Sequence, residues 1–182
     1  AWRERGNVLI PAFAVGRSQE LLYWFARHWK EWNLERWRIF LDSPMAGRVV
    51  EVYDRHHGLF DEQAQAVWRQ RPSPFRLPNL RITASTQESM AINAIASGAI
   101  VIAGSGMANG GRILHHLRHR LGRRETHVVF VGYQAEGTLG RRLVERAPWV
   151  RIHGHDCRVN AQIHTVGGLS AHTDQQGLME WY

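Results

Sequence analysis

Cysteine is almost absent from this chain. Cys157 stands alone, which excludes an internal disulfide and fits a reducing, cytoplasmic compartment. No apolar run reaches the ~18 residues that a membrane-crossing helix needs. No secretory signal pattern opens the chain, and there is no internal repeat or low-complexity tract. Acidic residues are in deficit, 16 against 23 Lys and Arg, for a formal net charge of +7. Nearly all of the positive charge is arginine, whose planar fork suits phosphate. A basic balance of this kind is a footprint of nucleic-acid binding. With 44% hydrophobic and 21% charged residues over 182 positions, the composition excludes disorder and allows one well-cored domain with at most a small appendage.

Apolar strand-like runs alternate with helical patterns. Strands are expected at Asn7 to Pro11, Arg38 to Leu41, Arg81 to Ala84, Ala99 to Ala103 and His127 to Val131. Helices are expected from Gly16, where Leu21, Leu22, Phe25 and Trp29 recur at helical spacing, from about Gly47 to His56, and from Thr86 as cap to about Ser97. Two more are expected from Gly110 to Leu121 and from Thr138 to Arg146. The stretch from Asp61 to Leu80, rich in proline, reads as a connection. Ala99 to Ala103 and His127 to Val131 are continuous apolar runs. They predict an α/β fold, a mostly parallel sheet with helices on both faces. After Pro148 the texture changes, and Val150 to Thr165 reads as two short strands. The chain opens without methionine and stops within a helical pattern, and we read it as a piece of a larger protein.

In such sheets ligands bind beyond the carboxyl ends of the strands. Four loops there suit anions. Pro11 to Arg17 ends at a helix start with an arginine beside it, where backbone N–H groups and the helix dipole favour phosphate. Asp42 to Met45 brings Ser43. Gly104 to Gly111 brings Ser105, Gly106, Gly110 and Gly111. Gly132 to Thr138 brings Gly137 and Thr138. None is a Walker loop or a dinucleotide fingerprint. Near the end, Gly167-Gly168-Leu169-Ser170-Ala171-His172-Thr173-Asp174 puts Ser170 and His172 on a tight turn after a strand. An imidazole so placed can give or take a proton near neutral pH. His115, His116 and His119 lie among Arg112, Arg118 and Arg120. That clustering points to a solvated or nucleic-acid-facing basic surface rather than a metal site.

The segments IPAFAVGRSQELL, LDSPMA, SGMANGGRILHHL, VGYQAEGTLGRRL and GGLSAHTD, in this order, resemble the β-CASP branch of the metallo-β-lactamase superfamily. That branch contains zinc-dependent nucleases that process RNA. The resemblance implies a β-CASP domain over residues 1–148, lacking its N-terminal part, and a return into a metallo-β-lactamase domain over 149–182. It implies that His172, in the Ser-x-His element, assists phosphodiester hydrolysis as an acid or electrophile, while Arg17, Ser43, Ser105, Gly106, Gly110, Gly111, Gly137, Thr138 and Ser170 position RNA phosphates. It implies zinc in the full-length parent. No His-x-His-x-Asp-His motif occurs here, so no metal is expected to be held by this piece. The implied partners are RNA, single-stranded, and the missing metallo-β-lactamase domain, with a homodimer possible and no membrane. A non-catalytic RNA-binding module and a nucleotide-binding α/β domain using Gly104 to Gly111 are the alternatives.

Overall fold

The computed structural model describes residues 1–70, 72–169 and 175–182. In chain order its regular elements are β1 (Val8–Pro11), α1 (Arg17–Arg27), β2 (Arg38–Asp42), α2 (Pro44–Arg55), α3 (Glu62–Arg69), β3 (Leu80–Ile82), α4 (Thr86–Ile92), β4 (Ala99–Ala103), α5 (Ile113–Arg120), β5 (His127–Phe130), α6 (Leu139–Val144), β6 (Trp149–Ile152), β7 (His155–Arg158), β8 (Gln162–Thr165) and α7 (Gln175–Trp181). Six strands form one sheet in the order β3-β2-β4-β1-β5-β8, every pairing in it parallel. This is the α/β architecture that the alternating pattern predicts.

The strands' side chains alternate between two apolar layers, because successive residues of a strand point to opposite faces. On one face Ile10, Ile39, Leu41, Ile100 and Ile102 pack with Leu21, Leu22 and Phe25 of α1, Val50 of α2 and Val67 of α3. On the other, Leu9, Phe40, Val101, Val128 and Phe130 pack with Ile92 of α4, Ile113 and Leu117 of α5 and Leu143 of α6. β4 has cover on both sides and is buried along its whole length.

Three local readings need correction. The connection after Asp61 contains α3, which Asp61 caps by accepting from the Ala64 amide at 2.8 Å. Ser85, not Thr86, caps α4. It forms a capping box with Glu88, whose carboxylate accepts from the Ser85 amide at 2.8 Å. Beyond Pro148 there are three strands rather than two. β6 and β7 form an antiparallel hairpin, and β8 joins the main sheet beside β5, with His127 opposite Gln162. Among the described residues no helix is long and apolar enough to cross a membrane.

Candidate functional site

β1 and β2 lead into α1 and α2 on one face, while β4 and β5 lead into α5 and α6 on the other. Where neighbouring strands send their chains to opposite faces, a crevice opens beyond their carboxyl ends. A cleft of about 490 Å³ lies there, lined by residues 13–15 after β1, 42–45 at the end of β2, and Gly104, Ser105, Gly111 and Arg112 after β4. Its rim is apolar and uncovered: Phe13, Val15 and Met45 are 49%, 59% and 62% exposed. A second hollow of about 250 Å³ adjoins it between the ends of β1 and β5, and Arg17, Glu20, Gly106 and Tyr133 are among its walls.

The loops behind the cleft are tied together. The buried Gln134 side chain donates to the carbonyls of Gly106, Gly132 and Tyr133. The Gly140 amide donates to the Met107 carbonyl at 3.0 Å, and the Leu139 amide to Asn109 Oδ1 at 3.0 Å. Two glycines allow this closeness. A Cβ on Gly106 would stand 2.8 Å from the Phe13 ring. At Gly111, where φ is +74°, a Cβ would stand 2.3 Å from the Gly104 carbonyl oxygen. The loop after β4 and the start of α6 thus form one platform.

Under the cleft sits a carboxylate that sequence reasoning did not single out. Asp42 is fully buried. It accepts from His116 Nε2 at 2.6 Å, Ser89 Oγ at 2.6 Å, Arg112 Nη1 at 2.8 Å and the Thr83 hydroxyl. Burial by itself would raise its pKa. The hydrogen bonds from His116, Ser89, Thr83 and Arg112 outweigh that, and they hold the carboxyl well below the usual carboxylate range. Arg112 also donates from Nη2 to the Ala84 carbonyl at 3.0 Å, so its guanidinium is fixed at the cleft wall.

The basic face expected on α5 is divided. His115, Arg118 and His119 are exposed, and His115 stacks on His153 of the β6–β7 turn with centroids 4.7 Å apart. His116 and Arg120 are buried. Arg120 donates to Asn93 Oδ1 at 2.9 Å and to the Ile92 carbonyl at 2.6 Å, and burial pushes its pKa down to about 10. The signal in the sequence was the spacing: Arg112, His116 and Arg120 share a stripe with the buried Ile113 and Leu117.

The predicted positions fall as follows. Ser43 and Ser105 line the cleft with Gly111. Ser43 also caps α2, accepting from the Ala46 amide at 3.2 Å, and Ser105 Oγ accepts from the Asn109 amide at 3.1 Å. Arg17 and Gly106 lie in the adjoining hollow, where Arg17 is ion-paired with Glu20. Gly110, Gly137 and Thr138 line neither space. The Thr138 hydroxyl caps α6 through the Arg141 amide at 3.1 Å and donates to the Ala135 carbonyl. Ser170 and His172 lie outside the described residues.

Fold and site define a parallel α/β domain with an apolar-rimmed cleft at its switch point. Residues 18–143 match the family described as Beta-Casp domain, and residues 156–182 match the Zn-dependent metallo-hydrolase RNA specificity domain. The chain belongs to the β-CASP branch of the metallo-β-lactamase superfamily. It is similar to the "Ribonuclease TTHA0252" of Thermus thermophilus, 47% identical over 176 residues, which are 97% of this chain and 40% of that protein. It is also similar to the "Transcription termination factor FttA" of Thermococcus kodakarensis, 32% identical over 183 residues, 97% of this chain and 28% of that protein. The FttA of Methanocaldococcus jannaschii is 30% identical with the same coverage, 97% and 28%. The chain therefore spans less than half the length of these curated relatives. The second family description implies zinc. Among the described residues no group of three or more His, Cys, Asp or Glu side chains is placed to hold a metal ion.

Proposed function

We propose that this chain is the RNA-positioning part of a metal-dependent ribonuclease that hydrolyses RNA phosphodiester bonds. Residues 1–148 are its β-CASP portion, and residues 149–182 lead toward a metallo-β-lactamase domain in the same protein. Zinc belongs to the full-length protein, held by residues outside this chain. The observation that carries the reading is the carboxyl-edge cleft, lined by Ser43, Ser105 and Gly111, with its neighbouring hollow, lined by Arg17 and Gly106.

An extended single strand would lay its phosphates along the serine hydroxyls and the glycine loops, with Gly110, Gly137, Thr138 and Ser170 as further contacts. The apolar rim of Phe13, Val15 and Met45 gives bases a surface to pack on. Hydrolysis needs a proton at the leaving oxygen and a donor for charge developing on the phosphoryl oxygens. His172 supplies the proton, and its place in the Ser-x-His element supports that role. We place it in the cytoplasm, and the single cysteine, which fits a reducing compartment, supports this.

The test is cleavage of a labelled single-stranded RNA by the full-length protein, with and without a chelator. Chelator-sensitive cleavage is expected. In the same assay His172→Ala should lower the cleavage rate with little loss of RNA affinity. RNA binding without cleavage under any condition would replace this reading with a non-catalytic RNA-binding module.

A further inference from the structure

The net positive charge is not spent at the cleft. There, Arg17 is paired with Glu20 and Arg112 with Asp42. At the opposite, amino edge of the sheet lies a basin of about 520 Å³ walled by Arg3, Arg5, Arg36 and Arg38, with Trp2 and the Ser97-Gly98 turn. None of these four arginines is ion-paired among the described residues. Glu4 lies beside them in sequence, but its carboxylate accepts from His127 Nε2 at 2.7 Å and from Gln162 at 3.2 Å. Among the described residues Glu35 makes no ion pair either, and it is exposed.

The basin is built rather than incidental. Arg38 Nη2 donates to the Ser97 carbonyl at 2.7 Å. The Arg36 guanidinium lies 4.7 Å over the Trp2 ring, which meets Trp37 edge-on at 5.1 Å. Arg5 sits at φ +53°, a backbone region that glycine occupies more cheaply. Gathering four cations without a carboxylate costs mutual repulsion, which an anionic ligand relieves.

We propose that this basin binds the phosphodiester backbone of single-stranded RNA, at a second contact remote from the cleft. The choice of RNA among polyanions rests on the function proposed above. Arginine forks donate to phosphate oxygens in pairs, and Trp2, 38% exposed, offers a ring edge to a base. Arg38 opens β2 and Asp42 closes it, so basin and cleft are about 13 Å apart along that strand at ~3.3 Å per residue. That line runs through the buried body of β2, so RNA must pass round the outside of the domain, a path that a long RNA can cover and a trinucleotide held in the cleft cannot.

The test uses the full-length protein and fluorescence anisotropy with labelled oligouridylates, one long and one a trinucleotide. For the long probe, the double variant Arg3→Ala/Arg36→Ala should bind about tenfold or more weakly. Its log–log salt dependence should be shallower by roughly 1.4, for two single-strand phosphate contacts. Trinucleotide binding should not change. Arg3→Lys/Arg36→Lys should keep most of the salt slope, which separates charge from packing on Trp2. An unchanged affinity and slope in the alanine variant, with an unchanged melting temperature, overturns the basin alone. Displacement of the long probe from the basin by inorganic phosphate at low concentration makes it a small-anion site and overturns the RNA assignment. Absence of any RNA binding by the unaltered protein overturns both this proposal and the function it rests on.

Discussion

His116 and Asp42, 74 residues apart in sequence, meet Nε2 to Oδ2 at 2.6 Å with both side chains fully buried. The pair joins α5 to the end of β2, and Arg112 extends it to the cleft wall. A buried carboxylate is tolerable only while its partners remain, because removing one side leaves an uncompensated charge.

Asp42→Ala should therefore lose about 3–5 kcal/mol of stability, read from urea unfolding. A cycle with His116→Ala should show strong coupling, the double variant losing less than the sum of the two. Since the folded pKa of Asp42 is depressed, its contribution is complete above the unfolded carboxylate value of about 3.9. It is lost as pH falls below that toward the folded value. A purely additive cycle would show that the two side chains stabilise the fold separately.

Gly140→Ala should destabilise despite alanine's better helix propensity. The new Cβ would stand 1.8 Å from Gln134 Oε1 and 2.9 Å from the Met107 carbonyl oxygen. Gln134 cannot swing away, being held by its three hydrogen bonds. We expect a loss of about 1–3 kcal/mol, typical of overpacking, measured by thermal melting. A melting temperature at or above that of the unaltered protein would show that α6 can back away from the platform.

Histidines set a second pH dependence. His115, His119 and His164 all have lowered pKa values, chiefly through desolvation and then through neighbouring positive groups. Folding thus favours their neutral forms. Their contribution is whole above the unfolded value of about 6.5 and declines as pH drops through it. Melting temperature should fall as the medium is acidified through that range, and His164→Asn should flatten the decline. A profile that is flat there in the unaltered protein would remove these groups from the balance.

Arg17 offers a test of charge at the cleft. Arg17→Ala should weaken RNA binding and reduce the log–log salt slope by about 0.7, one single-strand contact. Glu20→Gln removes the partner of Arg17 and should tighten binding severalfold at low salt. Binding indifferent to both changes would take Arg17 off the RNA path.

The apolar strands were legible because their pattern is local. Ala99 to Ala103 can only be a strand with cover on both sides. β8 was not legible as part of the sheet, since Gln162-Ile163-His164-Thr165 is half polar and its membership depends on β5. α3 was hidden in a stretch rich in proline and buries only Val67. The loops around the cleft could be placed from their glycines and serines. Asp42, His116 and Arg112 could not be joined, because charged side chains read as surface until a partner is known. Here the partners come from the start and body of α5, 70 and 74 residues later in the chain. The same blindness hid the arginine basin, whose members come from three separate stretches of the chain.

The strand order has a consequence for how the molecule is made. Within this chain β1 is made before both of its neighbours in the sheet, β4 and β5. The Asn7 side chain waits for the Ala99 amide, 92 residues later. β1 is therefore synthesised ahead of the strands that pair with it. The centre of the sheet can close only after more than half the chain has emerged, which favours slow, late and cooperative folding over stepwise assembly.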